Sequence, residues 1–321
     1  MVVSSPSMTD VIQLQELRLA VLAFLMALVT GAGLYLGVKL LLAVLRGRSL
    51  PRVERAAALV FLGLLLTEAG CFLYALLIEA DWLQVTRVEV RTARLPAGTR
   101  LRIVHLTDLH AEGWSRALSR LPDEVNALQP DLLITTGDAV NAESGLPVFR
   151  EVLSRIHTRY GRYAVRGNHD VWYWSELDLF SGGVSQELRQ TALRTAEGRL
   201  VLCGAPYGQE GHIDTCLREN PDGLRIVVYH TPDLVEELAP LEPDLYLAGH
   251  THGGQVRLPL YGAVVSMSRF DKKYEMGRHQ VGATTLFVSR GIGFEPHAPR
   301  VRFLCRPEIA VIDLVGTGNA G

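Results

Sequence analysis

Two long apolar segments occupy most of the first quarter of the chain, at residues 19–45 and 56–78, and each contains a single charged residue. Both exceed the roughly 20 residues that an apolar helix needs to cross the hydrocarbon of a bilayer. A cleaved signal peptide fits poorly, because polar residues precede the first segment. The sequence therefore predicts a transmembrane helical hairpin over residues 19–80, after a polar N-terminal segment over residues 1–18.

The loop between the two segments is basic and sets the expected orientation. It contains four arginines, whereas the leading segment offers only Arg18. Because cytoplasmic loops are enriched in Lys and Arg, we expect a multi-pass protein of the inner membrane whose large C-terminal part is extracytoplasmic. Glu68, near the middle of the second segment, is either a functional intramembrane carboxyl or a protonated group that bonds a facing backbone atom or Thr67. The loop arginines are Arg46, Arg48, Arg52 and Arg55.

Charge and cysteine content exclude several classes of protein. Lys and Arg total 32 against 34 for Asp and Glu, so the chain has no basic excess for binding nucleic acid. Four cysteines occur without a CxxC pair, which argues against a thiolate zinc site. Cys203 and Cys216 could form a disulfide only in an oxidising compartment. Any metal chemistry must therefore use His, Asp and Asn side chains.

After a polar connector at residues 81–100, the chain alternates between short β-branched runs and amphipathic segments. One predicted helix lies around residues 122–128, with Pro122 in its first turn. This alternation is typical of an α/β domain, predicted here over residues 101–315 and followed by a flexible tail at 316–321. The predicted strands lie within residues 101–108, 131–138, 162–170, 199–204, 224–230, 244–250, 284–291 and 308–314.

Polar residues cluster at the carboxyl ends of these strands, the edge where open α/β sheets bind ligands. Their mixed nitrogen and oxygen donors are too many for one ion and suit two. Such donors favour Mn, Fe, Zn or Ni over Ca, which prefers oxygen ligands alone. Two ions about 4 Å apart can promote hydrolysis of a phosphate ester by metal-bound hydroxide. The candidate ligands are Asp108, His110, Asp138, Asn168, His230, His250 and His252.

Five motifs in this order resemble the calcineurin-like metallophosphoesterase superfamily. They are D-x-H at 108–110, G-D at 137–138, G-N-H-D at 167–170, the single His230, and G-H-x-H at 249–252. The extensions GHTHGGQ, SRG and PEI are similar to its bacterial, membrane-associated phosphohydrolase branch, the YkuE-like proteins. The resemblance covers residues 100–315 and implies a four-layer α/β/β/α sandwich, here preceded by the transmembrane hairpin.

The resemblance also implies a role for each site residue. One ion would bind Asp108, His110, Asp138 and His252, and the other Asp138, Asn168, His230 and His250, with Asp138 bridging. His169 would contact the phosphate and protonate the leaving alcohol, a general-acid role that suits imidazole. Asp170 either orients His169 or caps the following helix.

Departures from other branches narrow the expected function. Asn141 stands where protein phosphatases of the superfamily carry Asp and where purple acid phosphatases carry Tyr, which argues against both activities. Residues 171–174, VWYW, either form an apolar lip beside the pocket or pack over the sheet. The leading hypothesis is a membrane-anchored binuclear phosphohydrolase acting on a phospholipid, a polyprenyl phosphate, UDP-2,3-diacylglucosamine or another phosphate ester. The alternative is a non-catalytic membrane scaffold or sensor that binds metal or a lipid headgroup.

Overall fold

The computed structural model of the protein describes residues 8–188, 190–195, 197–296 and 298–318. It begins with two antiparallel helices, α1 (Met8–Leu45) and α2 (Arg52–Leu77). Both helices are long and apolar enough to cross a membrane, and little of their surface is covered by protein. The predicted helical hairpin is therefore present. Its leading segment is not separate, however, because α1 continues through residues 8–18 without a break.

The two helices approach each other closely near their middle. A Cβ atom on Gly33 would lie 2.9 Å from the carbonyl oxygen of Phe61, so only glycine fits there. Small residues that bring backbones together are typical of helix pairs in membranes. One turn away along α1, the hydroxyl of Thr30 donates to Glu68 Oε2 at 3.0 Å. Of the two interpretations of Glu68, the structure favours the hydrogen-bonding one, with a partner on the opposite helix.

The remaining chain contains fourteen strands within the described residues. They are β1 (Gln84–Pro96), β2 (Arg100–Leu106), β3 (Leu132–Thr135), β4 (Arg162–Ala164), β5 (Gln186–Glu187), β6 (Gln190–Thr195), β7 (Gly198–Gly204), β8 (Leu224–Val228), β9 (Leu245–Ala248), β10 (Arg257–Leu258), β11 (Gly262–Ala263), β12 (Gly277–Val281), β13 (Thr284–Val288) and β14 (Glu308–Gly318). One six-stranded sheet has the order β1-β14-β2-β3-β4-β5, and the second has the order β12-β13-β9-β8-β7-β6. Strands β10 and β11 form a separate hairpin.

Successive residues of one strand show how the layers are arranged. In β2, Ile103 packs between the two sheets, whereas Val104 packs against the helices on the outer face of the first sheet. Alternate side chains point to opposite faces of a sheet, and both faces are buried here. The first sheet is covered by α3 (Arg116–Ala127) and α4 (Leu146–Ser154), and the second by α6 (Gly211–Glu219) and α7 (Val235–Leu238). The four-layer α/β/β/α sandwich is confirmed.

A disulfide joins β7 to α6 within the outer core of the second sheet. Cys203 and Cys216 are both fully buried, and their Cα atoms are 5.7 Å apart. The two other cysteines, Cys71 and Cys305, are free. The disulfide ties a covering helix directly to the sheet beneath it.

All eight predicted strands are present, but three boundary predictions are wrong. The connector at residues 81–100 instead contains β1, which pairs in parallel with β14 at the edge of the first sheet. The helix predicted around Pro122 begins six residues earlier at Arg116, because the side chain of Ser115 caps it by accepting from Leu118 N. In the tail, β14 continues to Gly318, and residues 319–321 lie outside the described part.

Candidate metal centre

The seven predicted ligands meet at the carboxyl ends of five strands from both sheets. Six of their side chains are buried and His250 is partly exposed. The ends of neighbouring parallel strands lie at one edge of a sheet, which explains why residues distant in sequence converge. Asp108 and His110 follow β2, Asp138 follows β3, Asn168 begins the short helix α5 (Asn168–Trp172) after β4, His230 follows β8, and His250 and His252 follow β9.

Asp138 lies between histidines from the two sheets. Its Oδ2 atom is 3.2 Å from His230 Nε2 and 3.6 Å from His110 Nε2. Its other oxygen, Oδ1, accepts a hydrogen bond from the backbone N–H of His169 at 2.9 Å. One oxygen is therefore held by the backbone, and the other faces the centre.

Asp108 has the same division of its two oxygens. Oδ2 accepts from the hydroxyl of Thr107 at 2.6 Å and from the backbone N–H of His250 at 3.1 Å. Oδ1 is 3.5 Å from His252 Nε2 and is a buried atom without a hydrogen-bond donor among the described residues. Because an unpaired buried oxygen is unfavourable, this atom is suited to a cation.

Three of the four imidazoles are oriented by acceptors outside the centre. Nδ1 of His230 lies 2.7 Å from the carbonyl oxygen of Thr136, and Nε2 of His250 lies 3.0 Å from that of Met267. With those nitrogens donating, the other nitrogen of each ring is left free to bind a metal. His110 is held in the same way by a side chain, that of Asn141, at 2.5 Å.

The donor atoms form two overlapping groups that fit two divalent cations. Within each group all donor atoms lie within 4.8 Å of one another, and Asp108 belongs to both. The buried Oδ1 of Asn168 also has no hydrogen-bond donor among the described residues. Mixed carboxylate, amide and imidazole donors suit a binuclear centre of borderline metals. The two groups are Asp108, His110 and His252, and Asp108, Asp138 and His230.

Five of the seven predicted ligands have left-handed backbone conformations, which L residues adopt at a cost of about 1–2 kcal/mol each. Such strain concentrates at functional sites, where the surrounding structure holds it. Neighbouring glycines provide the space: a Cβ on Gly249 would lie 2.3 Å from Asp108 Oδ2, and one on Gly167 would lie 2.2 Å from Asp138 Oδ1. The φ values are 50° for Asp108, 43° for His110, 51° for Asp138, 68° for His250 and 49° for His252.

Charges in the centre move the pKa values of its histidines in opposite directions. Burial alone would lower the pKa of His230, but Asp138 and Asp108 outweigh it and raise that pKa to about 10. Burial and the neighbouring His230 lower the pKa of His250 to about 4. Burial would raise the pKa of Asp138, but the adjacent histidines hold it well below its usual value. The centre therefore provides anionic carboxylate for cations to neutralise.

The two predicted catalytic residues have different surroundings. His169 is buried, with Nε2 3.3 Å from Glu295 Oε1. Burial opposes its protonation, but Glu295 and Asp138 together raise the pKa of His169. Asp170 does not contact this imidazole: its carboxylate accepts from the backbone N–H groups of Gly167 and Ala139, both at 2.9 Å. The geometry favours the helix cap for Asp170.

Two residues at the site were missed by the sequence reasoning. Glu295 follows β13 by several residues, in an irregular segment that carries no strand pattern, and its position beside His169 depends on the fold. Asn141 was noted only as a departure from other branches, yet it orients His110. Its side-chain amide is held in turn by Glu112 and by the carbonyl of Phe294. Its position three residues after the G-D aspartate was a usable signal.

Comparison with known proteins agrees with the geometry. The calcineurin-like phosphoesterase family profile matches residues 101–254. The metallophosphoesterase YkuE of Bacillus subtilis is 28% identical over 78% of this chain and 92% of its own length. The phosphodiesterase YaeI of Escherichia coli is 31% identical over 78% of this chain and 94% of its own length. UDP-2,3-diacylglucosamine pyrophosphatase LpxG of Chlamydia trachomatis is 23% identical over 73% of this chain and 90% of its own length.

A two-sheet sandwich with paired Asp and His clusters at its strand ends defines a metal-dependent phosphoesterase. The chain belongs to the calcineurin-like metallophosphoesterases, and within them it is similar to the YkuE-like branch. It is a hydrolase that acts on phosphoester bonds. The predicted family and enzyme class are confirmed.

Proposed function

We propose that this protein is a membrane-anchored binuclear phosphohydrolase that cleaves a phosphodiester or pyrophosphate bond in a lipid-linked substrate. The observation that carries the proposal is the convergence of buried carboxylate and imidazole donors on one centre, with Asp108 Oδ1 and Asn168 Oδ1 free of hydrogen-bond donors among the described residues. We assign the seven predicted ligands to that centre.

Different residues of this chain serve metal binding and proton transfer during hydrolysis. When bound, two divalent cations supply Lewis-acid activation of water and neutralise phosphate charge. Asp138 and Asp108 would hold the cations, and the histidines from both sheets would fix their positions. His169 would donate a proton to the departing oxygen, with Glu295 keeping its ring in place and protonated.

Aromatic side chains beside the centre support a lipid-linked substrate. Trp172 and Tyr173 are each 58% exposed, and their rings lie 6.3 Å and 5.4 Å from the ring of His169. Trp174, by contrast, packs on the core. Packing over the sheet therefore accounts for Trp174 but not for the exposed Trp172 and Tyr173. We infer that Trp172 and Tyr173 form an apolar lip that receives an acyl or prenyl chain.

The full chain, purified in detergent with Mn²⁺, is expected to hydrolyse both a chromogenic phosphodiester and a lipid-linked pyrophosphate. Trp172→Ala should lower kcat/KM for the lipid-linked substrate by about tenfold or more, since an aromatic contact with a chain contributes about 1.5–3 kcal/mol. Its activity on the soluble diester should remain within twofold. Equal losses on both substrates would contradict the lip, and binding of metal without hydrolysis of any ester would favour the scaffold alternative.

The second part of the proposal concerns the side of the membrane on which the catalytic domain lies. The arginine loop lies at the end of the hairpin opposite the catalytic domain. Because basic loops are typically cytoplasmic, this supports a catalytic domain outside the cytoplasm. The Cys203–Cys216 disulfide supports this side, because disulfides persist in oxidising compartments. Hydrolysis of UDP-2,3-diacylglucosamine, named for LpxG, would require the opposite side. We therefore rank an exported esterase above it.

Alkaline phosphatase fused after Gly321 is expected to be active, and a green fluorescent protein fused there to be dark. In the same cells, acid-trapped protein should resist thiol alkylation at two of its four cysteines until it is reduced. Cys203→Ser provides the matched control, since it frees Cys216 for alkylation. Fluorescent fusions together with fully reduced cysteines would place the domain in the cytoplasm.

A further inference from the structure

Two loops of the catalytic domain expose leucines in a strained backbone conformation. Leu260, at the tip of the β10–β11 hairpin, is fully exposed and has a φ of +63°. Leu304, in the loop before β14, is about half exposed and has a φ of +52°. A left-handed leucine costs about 1–2 kcal/mol, and an exposed side chain recovers little of that by packing within the domain. Contact with an apolar environment would compensate for it.

The first loop is attached to α1. Lys272 Nζ lies 4.0 Å from the ring centroid of Tyr261 and also donates to the carbonyl of Tyr261. The next residue, Asp271, accepts two hydrogen bonds of 2.8 Å from the guanidinium of Arg18. Because Arg18 directly precedes the apolar segment of α1, the exposed tip lies beside the point where α1 would enter a bilayer.

The second loop is attached to the residues that directly follow α2, through hydrogen bonds to a carboxylate. The carboxylate of Glu79 accepts from the backbone N–H groups of Leu304 and Cys305. Nearby, Trp82 is about half exposed, and the guanidinium of Arg306 lies 3.7 Å from its ring centroid. Each loop therefore pairs an aromatic ring with a cation.

The pairing of α1 with α2 indicates that the two loops are attached at the same depth along the hairpin. Lys39 contacts Glu54 and, further along the hairpin, Thr30 contacts Glu68. Continued along two antiparallel helices of equal rise, this pairing brings Arg18 opposite roughly residue 80. Both loops therefore flank the hairpin at the height where its apolar segments end.

We propose that Leu260 and Tyr261 on one side, and Leu304 and Trp82 on the other, form a collar that inserts into the lipid surface and seats the catalytic domain on it. This inference rests on the proposed anchor. A bilayer fits better than a protein partner for two reasons. The collar lies around the point where the hairpin would enter the membrane, and each of its aromatic rings is in contact with a Lys or Arg side chain. Aromatic rings with flanking Lys and Arg are typical of the lipid–water interface, where Lys272 and Arg306 would meet phosphate headgroups.

The collar also brings the metal centre close to the lipid surface. In α1, Gln15 Oε1 accepts from the backbone N–H of Met267 at 3.3 Å. The carbonyl of Met267 is the group that orients His250. A single residue thus lies between the anchor helix and a proposed ligand, which favours a substrate presented at the membrane surface over one that diffuses in solution.

Spin labels on the full chain in nanodiscs test the collar. In a Cys71→Ser background, a label is attached at Leu260→Cys, at Leu28→Cys in the apolar part of α1, or at Asp222→Cys. Asp222 is exposed at the amino end of β8, the edge of the sheet opposite the metal centre. The nanodiscs contain phosphatidylethanolamine with a minority of phosphatidylglycerol, and the readout is collision with oxygen against collision with a nickel chelate.

The label at 260 is expected to be several-fold less accessible to the nickel chelate than the label at 222, and more accessible to oxygen. Aqueous behaviour at 260 with lipid-like behaviour at 28 would overturn the collar and leave the anchor in place. Aqueous behaviour at both positions would overturn the collar together with the proposed anchor. Since Leu260 is fully exposed, its replacement does not disturb the core.

Discussion

Replacing Asp138 by Asn is expected to abolish hydrolysis, with kcat falling by about 10³-fold or more, and to lower the metal content of the purified protein. The reason is local: Asp138 Oδ2 lies between a histidine of each sheet, 3.2 Å from His230 Nε2 and 3.6 Å from His110 Nε2. An amide has the same shape but no negative charge, and loss of one well-placed electrostatic contact commonly reduces turnover by about 10²–10³-fold. Metal analysis and a chromogenic phosphodiester assay give the two readouts.

Asp214→Asn is the matched control for this variant. Asp214 lies on the exposed side of α6 and pairs with Arg218. It is not one of the proposed ligands of the metal centre. Its metal content and turnover should remain within twofold of the unchanged protein, because surface ion pairs contribute little. Circular dichroism would show that both variants are folded. Unchanged metal content and turnover in Asp138→Asn would remove the basis for the binuclear assignment.

The convergence of the ligands was predictable because it depends on sheet topology. Each of these strands is a short buried run followed by a polar residue. In a parallel sheet the carboxyl ends of the strands lie at one edge, so these polar residues come together without any detailed knowledge of side-chain packing. His230 and Asp138 are far apart in sequence, yet each lies within three residues of the end of a strand that the sequence shows clearly. The same logic predicts that Asp108 and His110 face one centre, and their donor atoms lie within 4.8 Å of each other.

Features that depend on long-range pairing were not predictable in this way. Strand β1 lies at an edge of the first sheet and alternates buried and exposed residues, so its composition is typical of a polar connector. Only its pairing with β14 makes it a strand. The position of Glu295 could not be predicted for the same reason. Its irregular segment connects β13 to β14, and the placement of these two strands determines that it reaches His169. The hydrogen bond between Thr30 and Glu68 depends on the register of two helices, which hydropathy does not specify.

Backbone conformation provides a further signal that composition lacks. Leu260 and His250 both have left-handed φ values, although Leu260 lies at an exposed loop tip and His250 at the metal centre. A positive φ is uncommon for any residue other than glycine, so the surrounding fold holds both residues in this conformation. The sequence motif G-H-x-H indicated a ligand at His250, whereas nothing in the hairpin sequence distinguished Leu260. The positive φ of Leu260 together with its full exposure therefore marks a surface feature that motif analysis could not find.

His169→Ala is expected to slow hydrolysis of an alkyl phosphodiester by about 10²–10⁴-fold, the range typical of a lost general acid. For a nitrophenyl diester the loss should be less than about tenfold, because that leaving group departs without a proton. The difference between the two substrates is the diagnostic measurement, since a ligand variant such as Asp138→Asn would affect both equally. Metal content should remain unchanged, because the imidazole of His169 contacts Glu295 and belongs to neither donor group.

Asp170→Asn separates this role from a structural one. Its carboxylate accepts from Ala139 through one oxygen and from Gly167 through the other, whereas an Asn side chain has a single acceptor oxygen and would leave one of these backbone donors unpaired. We therefore expect Asp170→Asn to lower thermal stability and to reduce activity on both diesters by the same factor. A selective loss on the alkyl diester would instead make Asp170 part of the proton-transfer pathway, and an equal loss in His169→Ala would show that His169 serves only to position the substrate.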